Sequence, residues 1–158
     1  MVSVSIRHTM IPALVLGKGL TALGAMRVLH RAGVPVYIFG QPPGPESRSR
    51  WYRPVPVGSA PPQSARLPEV LGRITLESAV LIPCSDSWAR QAAELSPMQR
   101  SRFPASLPSV DAIEALVDKA RFGKVLADTG VPHPLTQTLT GPEELAALPD
   151  SVLEGTGV

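Results

Sequence analysis

The 158-residue chain has the length of one ordinary domain, and its 44% of hydrophobic residues is enough to form a core. Fifteen cations against thirteen anions give a formal net charge of +2, which is not the concentrated basic face expected of a nucleic-acid-binding protein. The single cysteine excludes an internal disulfide, and no apolar run approaches the ~20 residues needed to cross a bilayer.

The N-terminus lacks the basic region, apolar run and small-residue cleavage site of a secretory signal peptide. Together with the single cysteine, this pattern favours a cytoplasmic protein. We expect residues 1–11 to form an N-terminal extension outside the fold.

A βαβ unit is predicted from residue 13 onward. Residues 13–17 and 34–39 are short apolar runs typical of buried strands, and residues 20–32 between them have the spacing of an amphipathic helix. Gly33 is a stop signal for that helix. Strand, helix and strand at this short spacing predict two parallel strands with a right-handed crossover.

The rest of the chain continues to alternate strands with helices. Such alternation predicts an α/β fold with an open, mostly parallel sheet and helices on both faces. We place the main α/β domain at residues 12–108 and a second domain at 109–158. The remaining predicted elements are a proline-rich loop over 41–62 with a short strand at 55–57, a helix over 64–75, a strand over 79–82, a helix over 87–95 capped by Asp86, an irregular stretch over 96–108, helices over 109–117 and 118–129, a strand over 135–139 and a helix over 142–148.

A glycine loop, Gly17-Lys18-Gly19-Leu-Thr-Ala22, joins the first strand to the first helix. Such a loop brings backbone N–H groups close to an anion at the helix N-terminus. It fits the dinucleotide fingerprint, but the second strand ends in Phe39-Gly40-Gln41 without the acidic residue that would hold the ribose. Three interpretations remain open: a dinucleotide site, a site for a small carboxylate substrate, or a tight turn only. Gly24, inside the following helix, would in the last case let that helix approach the sheet.

A loop rich in arginine and aromatic residues spans residues 47–53. Arginine recognises carboxylate or phosphate groups in a bidentate manner, so Arg50 is a candidate for binding an anionic substrate. Its neighbours Arg48 and Arg53 would serve equally for a phosphorylated cofactor. The alternative is a solvated loop in which Trp51 is a hydrophobic anchor.

The third predicted strand runs into Pro83-Cys84-Ser85-Asp86. Ligands of open α/β sheets bind beyond the carboxyl ends of the strands, so Ser85 and Asp86 are candidates for lining a substrate pocket. Cys84 has no evident base beside it and is interpreted as a small buried residue rather than a nucleophile. No His, Cys, Asp or Glu cluster has the spacing of metal ligands.

Several short motifs follow one another along the chain. They are Gly17-x-Gly19, Gly33-Val-Pro-Val, Ser49-Arg50-Trp51, Ser85-Asp86, and Asp118-Lys119-x-x-Phe122 with Gly130-Val-Pro-x-Pro134-x-Thr136. In this order they resemble the N-terminal, pre-ATP-grasp part of ATP-grasp ligases, closest to the carboxylate–amine ligases and the carbamoyl-phosphate-synthase-like group. Taken alone, residues 118–129 would be an ordinary surface helix.

The resemblance implies a function. Enzymes of this family use ATP and Mg²⁺ to phosphorylate a carboxylate, and an amine then attacks the acyl phosphate. By resemblance, Lys119 approaches the nucleotide phosphates, and Gly17, Lys18 and Gly19 meet a small carboxylate substrate. The resemblance implies no catalytic residue and no metal ligand within the chain.

The resemblance also implies that most of the ATP site lies beyond residue 158. We therefore expect residues 109–158 to be the truncated start of an ATP-grasp domain, inactive without a C-terminal ATP-grasp domain as its partner. Apolar surface left open by that missing domain would favour a homodimer. The alternatives are an NAD(P)-binding domain of an oxidoreductase and a non-catalytic α/β interaction module.

Overall fold

The computed structural model describes residues 10–40, 42–61, 64–134, 139 and 141–148. The chain divides into two compact units, Met1–Glu114 and Ala115–Val158. The first unit contains the sheet and is the α/β part of the chain. The boundary that the sequence predicts between two domains, after residue 108, stays a prediction.

The described elements alternate strands with helices in the first unit, as predicted, and are helical in the second. They are β1 (Ala13–Leu16), α1 (Gly19–Arg31), β2 (Val36–Phe39), a 3-10 helix (Pro45–Arg48), α2 (Leu67–Arg73), β3 (Val80–Pro83), α3 (Asp86–Ala93), α4 (Pro97–Arg102), α5 (Val110–Val117), α6 (Lys119–Asp128) and α7 (Pro142–Ala146).

The three strands form a small open parallel sheet in the order β2-β1-β3. Irregular segments extend it at both edges. On one side, the Ile38 N–H donates to Arg53 O at 2.9 Å and the Val55 N–H donates to Ile38 O at 3.0 Å. On the other, the Leu81 N–H donates to Pro104 O at 2.8 Å. These segments use backbone groups of β2 and β3 that would otherwise be open for pairing with another chain.

Alternate residues of β1 pack on opposite faces of the sheet. Leu14 and Leu16 belong to a buried cluster with α2 residues such as Leu71. Val15 belongs to a second cluster with Ala22 and Met26 of α1. Because side chains alternate along a strand, one apolar run supplies both cores, which explains why the whole of β1 is buried. The predicted α/β class and parallel sheet are confirmed.

One helix lies where the sequence predicted irregular structure. Helix α4 begins with a capping box in which the Gln99 N–H donates to Ser96 Oγ at 3.3 Å and the Ser96 N–H donates to Gln99 Oε1 at 3.2 Å. Pro97 occupies the first turn, where its missing N–H has no helical partner to lose. The prediction of irregular structure over 96–108 is therefore wrong for residues 97–102.

The second unit contains α6, which agrees with the helix predicted over 118–129 within one residue at each end. The strand predicted over 135–139 falls largely on residues 135–138, which lie outside the described part of the chain. The same holds for residues 1–9 of the predicted extension and for the tail 149–158. The start of an ATP-grasp domain stays a prediction.

Candidate functional site

The carboxyl ends of the three strands meet at one edge of the sheet. In the parallel register, Leu16 is paired with Phe39 on one side and with Pro83 on the other. The loops that follow β1, β2 and β3 therefore all leave from this edge. It carries the candidate residues Gly17, Lys18 and Gly19 after β1, and Ser85 and Asp86 after β3. Ligands of parallel α/β sheets bind at such an edge.

Two of these loops touch through glycine. The Gly17 N–H donates to Phe39 O at 2.8 Å, and a Cβ placed on Gly40 would collide with the carbonyl oxygen of Gly17. The same Cβ would lie 3.3 Å from the Cβ of Lys18. Gly17 itself has a φ of 135°, and a Cβ there would lie 3.1 Å from the Cβ of Cys84. The glycines therefore serve close backbone approach, which explains their place at the strand ends.

Gly24 does not have the role that the sequence suggested for it. A Cβ at Gly24 would meet nothing within 4 Å, and the residue is exposed. The interpretation that this glycine lets α1 approach the sheet is wrong.

Glu46, which sequence reasoning missed, fills the anion position of the glycine loop. Its carboxylate accepts the Gly19 N–H at 2.7 Å and the Gly44 N–H at 2.6 Å. Only 1% of its surface is exposed, and it is the one buried charged side chain among the residues that the structure describes. A carboxylate from the 3-10 helix thus sits at the N-terminus of α1, where the helix dipole favours negative charge.

The surroundings of Glu46 favour its ionised form. Burial alone would raise the pKa of the carboxyl, but hydrogen bonds from the Gly44 and Gly19 N–H groups, its own backbone N–H and the charge of Lys18 outweigh burial and lower the pKa. The pKa of the nearby Tyr52 hydroxyl is raised instead, first by burial and secondly by the negative charge of Glu46. Glu46 is therefore a fixed anion and Tyr52 a neutral phenol at neutral pH.

The occupied Gly19 N–H weighs against a dinucleotide at this loop. A pyrophosphate would have to displace Glu46 from two hydrogen bonds, each to a charged acceptor. No carboxylate follows β2 directly to hold a ribose, since Phe39 leads into Gly40.

The sequence did contain a signal for the helix that carries Glu46, namely Gly44-Pro45-Glu46. Proline is common in the first turn of a helix, and Glu46 follows Pro45 in that turn.

Arg50 lies against the neighbouring Trp51, and its role in binding an anionic substrate stays a prediction. Its guanidinium lies 4.6 Å from the centre of the Trp51 ring, and that ring stacks on His30 with centroids 5.3 Å apart. His30 is in the last turn of α1, roughly 16 Å along the helix from Gly19 at 1.5 Å per residue. Trp51 packs against the buried cluster around Met26, the anchoring arrangement that the sequence left open as the alternative.

Ser85, not Asp86, caps α3. The backbone of Ser85 is extended, and its Oγ accepts the Trp88 N–H at 3.4 Å. Asp86 is already the first helical residue, so the prediction that it is the cap is wrong. Its exposed carboxylate still lies in the first turn, where negative charge is favoured. Ser85 Oγ also lies 3.1 Å from Ser87 Oγ.

Cys84 has the character of a structural residue. It is half-buried, and its thiol is directed at Ile82 O at 3.7 Å. Burial raises the pKa of the thiol, which lowers its thiolate fraction at neutral pH. The geometry agrees with the interpretation of Cys84 as a small packed residue.

Lys119 belongs to the second unit and is described within it. It is exposed and is the first residue of α6. Asp118 caps that helix, because its Oδ1 accepts the Ala120 N–H at 2.9 Å and the Arg121 N–H at 3.1 Å. A phosphate near Lys119 would therefore meet the ammonium rather than these backbone donors. The role of Lys119 in nucleotide binding stays a prediction.

An apolar cavity of about 500 Å³ lies beside the end of β2. The end of the strand and the returning segment that pairs with it both line this cavity. Its lining residues are Ile38, Phe39, Gly40, Pro42, Pro43, Tyr52, Pro54, Val55, Val57, Ala60 and Pro61. We refer to this space as the β2 cavity.

The described residues contain neither a cluster of metal ligands nor a membrane-spanning helix. No group of three or more His, Cys, Asp or Glu side chains in this part of the chain could hold a metal ion. Within the same residues, no helix has both the length and the apolar character needed to span a bilayer.

Comparison of the chain with protein-family models, with curated proteins and with solved structures finds no significant match in any of the three.

Proposed function

We propose that this chain supplies the carboxylate-binding part of an ATP-dependent ligase of the ATP-grasp kind. The observation that carries the proposal is the common sheet edge. The parallel register of β1 with both neighbours directs the Gly17–Gly19 loop and the Ser85–Asp86 turn to one place. Lys18 supplies a cation there, as a carboxylate substrate requires.

The chemistry explains why such an enzyme consumes ATP. A carboxylate is a poor electrophile, since its negative charge repels nucleophiles and it has no good leaving group. In the proposed reaction a carboxylate oxygen attacks the γ-phosphorus of ATP and ADP departs. An amine then attacks the carbonyl carbon of the acyl phosphate, phosphate leaves and the amine proton is lost. Cations that offset charge on the transferring phosphoryl group are the protein's main contribution.

Lys119 is the residue of this chain that we assign to the nucleotide. The assignment comes from the resemblance of Asp118-Lys119-x-x-Phe122 to the family, and the exposed ammonium in the first turn of α6 is accessible to a phosphate. The Gly19 N–H already donates to Glu46, so this donor is offered neither to a dinucleotide nor to a substrate carboxylate, and the carboxylate that we propose would meet Lys18 instead.

The test is ATP hydrolysis by the full-length protein, measured with and without candidate carboxylates. We expect carboxylate-dependent hydrolysis, and we expect Lys119→Ala to lower kcat/KM on the order of 100-fold, as removal of one charge-stabilising group does. Lys124→Ala is the matched control, because Lys124 is an exposed lysine of the same helix. Equal activity of the two variants would show that Lys119 has no special role.

A further inference from the structure

We propose that the β2 cavity binds a monocarboxylic acid with an aryl or branched-alkyl body, whose carboxylate lies toward Lys18. The identification of this acid as the ligase substrate depends on the proposed function, whereas the binding site itself does not. The β2 cavity would thus select the class of carboxylate that the chain takes.

The size and lining of the β2 cavity fit the body of a small organic acid. Its volume of about 500 Å³ lies within the ~300–1,000 Å³ usual for small-molecule sites. Apolar side chains such as Ile38, Phe39 and Val55 provide most of the wall, so the favourable term is burial of apolar ligand surface. Four prolines in the wall restrict its backbone, which reduces the conformational entropy lost when a ligand binds.

The stretch of sequence that contains the cavity lining is strongly basic. Residues 10–61 contain six cations and a single acid, Glu46, and so carry a formal net charge of +5. We call residues 10–61 the basic segment. Glu46 is buried and its carboxylate already accepts two backbone N–H groups. The exposed charges of this segment are all positive, and the net field of its six cations and the Glu46 carboxylate favours an anionic ligand over a neutral or cationic one.

Lys18 is the cation that adjoins the cavity wall. Gly40 lines the cavity, and a Cβ on Gly40 would lie only 3.3 Å from the Cβ of Lys18. Lys18 is exposed, and its charge also acts on the buried carboxylate of Glu46. An acid with its apolar body in the β2 cavity would direct its carboxylate toward this lysine.

The test is an NMR titration of the isotope-labelled 158-residue chain without nucleotide. The probe is 3-phenylpropionate, compared with its neutral amide and with acetate, which has no apolar body. We expect 3-phenylpropionate to shift the amide signals of Ile38, Gly40 and Val55. The amide should bind about two- to fivefold more weakly, the range of one exposed ion pair, and acetate should not bind measurably.

Two variants locate the site. Ala60 lines the cavity and is exposed, so Ala60→Trp should block the space without disturbing the core, and binding should be lost. Ala127→Trp is the control at an exposed alanine of α6 that is not among the cavity-lining residues, and this variant should bind as the wild type does. Lys18→Met should remove the preference for the acid over the amide and retain the amide's affinity.

Three results would overturn the proposal: no binding of 3-phenylpropionate up to its solubility limit, unchanged binding by Ala60→Trp with a native spectrum, or equal affinity for acid and amide. None of these bears on ATP hydrolysis. Conversely, binding at the cavity together with unaffected hydrolysis by Lys119→Ala would refute the proposed nucleotide role and leave the ligand class intact.

Discussion

Glu46 connects two parts of the first unit that are far apart in sequence, so its carboxylate is a good test of how the sheet edge is held. We expect Glu46→Gln to lower the free energy of unfolding at neutral pH by roughly 1–3 kcal/mol, because the amide keeps one acceptor oxygen and turns its NH₂ toward the other backbone donor. Glu77→Gln, at an exposed carboxylate, is the control and should change it by less than about 0.5 kcal/mol. Urea unfolding measures both.

The difference in unfolding free energy between the wild type and Glu46→Gln should depend on pH. The pKa of Glu46 is lowered in the folded state, so the unfolded chain binds the proton more readily in acid. The stabilisation of the wild type over Glu46→Gln should therefore be fully present above the unfolded pKa of about 4.3 and decline as the pH falls through the folded pKa. A difference that stayed constant through that range would show that the carboxylate is not the source of the effect.

At the scale of single residues, the sequence predicted the residues of the sheet edge better than their partners. Gly17, Lys18, Gly19 and Ser85 follow strands whose ends are readable from local apolar runs. The contact of Glu46 with Gly19 joins residues 27 apart in sequence, so the local signal Gly44-Pro45-Glu46 could indicate a helix start but not which backbone group the carboxylate would bind. Arg50 was a candidate by residue type, and local sequence could not show that its guanidinium lies against Trp51, which packs on His30.

The glycines of the β2 end and of α1 provide a test at the scale of secondary-structure elements. Gly40→Ala should destabilise the chain by roughly 1–3 kcal/mol, because its methyl group would collide with the backbone of Gly17, which cannot move without displacing the end of β1. Gly24→Ala should instead stabilise it by about 0.5–1 kcal/mol, since that position is exposed and helical with open space for the methyl group. Thermal or urea unfolding measures whether each variant is less or more stable than the wild type.

An opposite order of these two effects would contradict the close approach of the β1 and β2 loops. The comparison is informative because both changes are glycine to alanine. They alter the entropy of the unfolded chain in the same way and differ only in the folded surroundings of the new methyl group.

At the element scale, periodicity predicted the strands and the long helices because both are determined locally. Helix α4 was missed because its cap, Ser96-Pro97-x-Gln99, lies in a stretch whose prolines otherwise indicate a loop. The segments at residues 53–55 and 102–104 bind the outer strands through backbone hydrogen bonds, and each places one side chain, Val55 or Phe103, in the buried core. Pairing of that kind depends on where the chain returns in space, so local propensity cannot reveal it.

Charge is segregated along the whole molecule, although its formal net charge of +2 conceals this. The basic segment carries +5, and residues 62–158 carry eight cations and twelve acids, a net of −4. The net charge of the whole chain argued against a nucleic-acid-binding protein, but that value averages the opposite charges of these two regions. The β2 cavity lies within the basic segment, so the field at its mouth is set by local rather than by total charge.

Added salt should therefore weaken the electrostatic attraction between the ligand's carboxylate and the basic segment, and it should leave the burial of the ligand's apolar body unchanged. Raising the ionic strength from about 0.01 to about 0.15 M shortens the Debye length from ~30 to ~8 Å, which screens the more distant cations of the basic segment. We expect the Kd of 3-phenylpropionate for the wild-type chain to rise by about two- to fivefold over this range, while that of its amide stays constant. Lys18→Met should flatten the response of the acid, and Lys124→Met, in the second unit, should leave it unchanged. If acid and amide weakened together, salt would be acting on the fold or on apolar burial, and the basic segment would have no part in selecting the ligand.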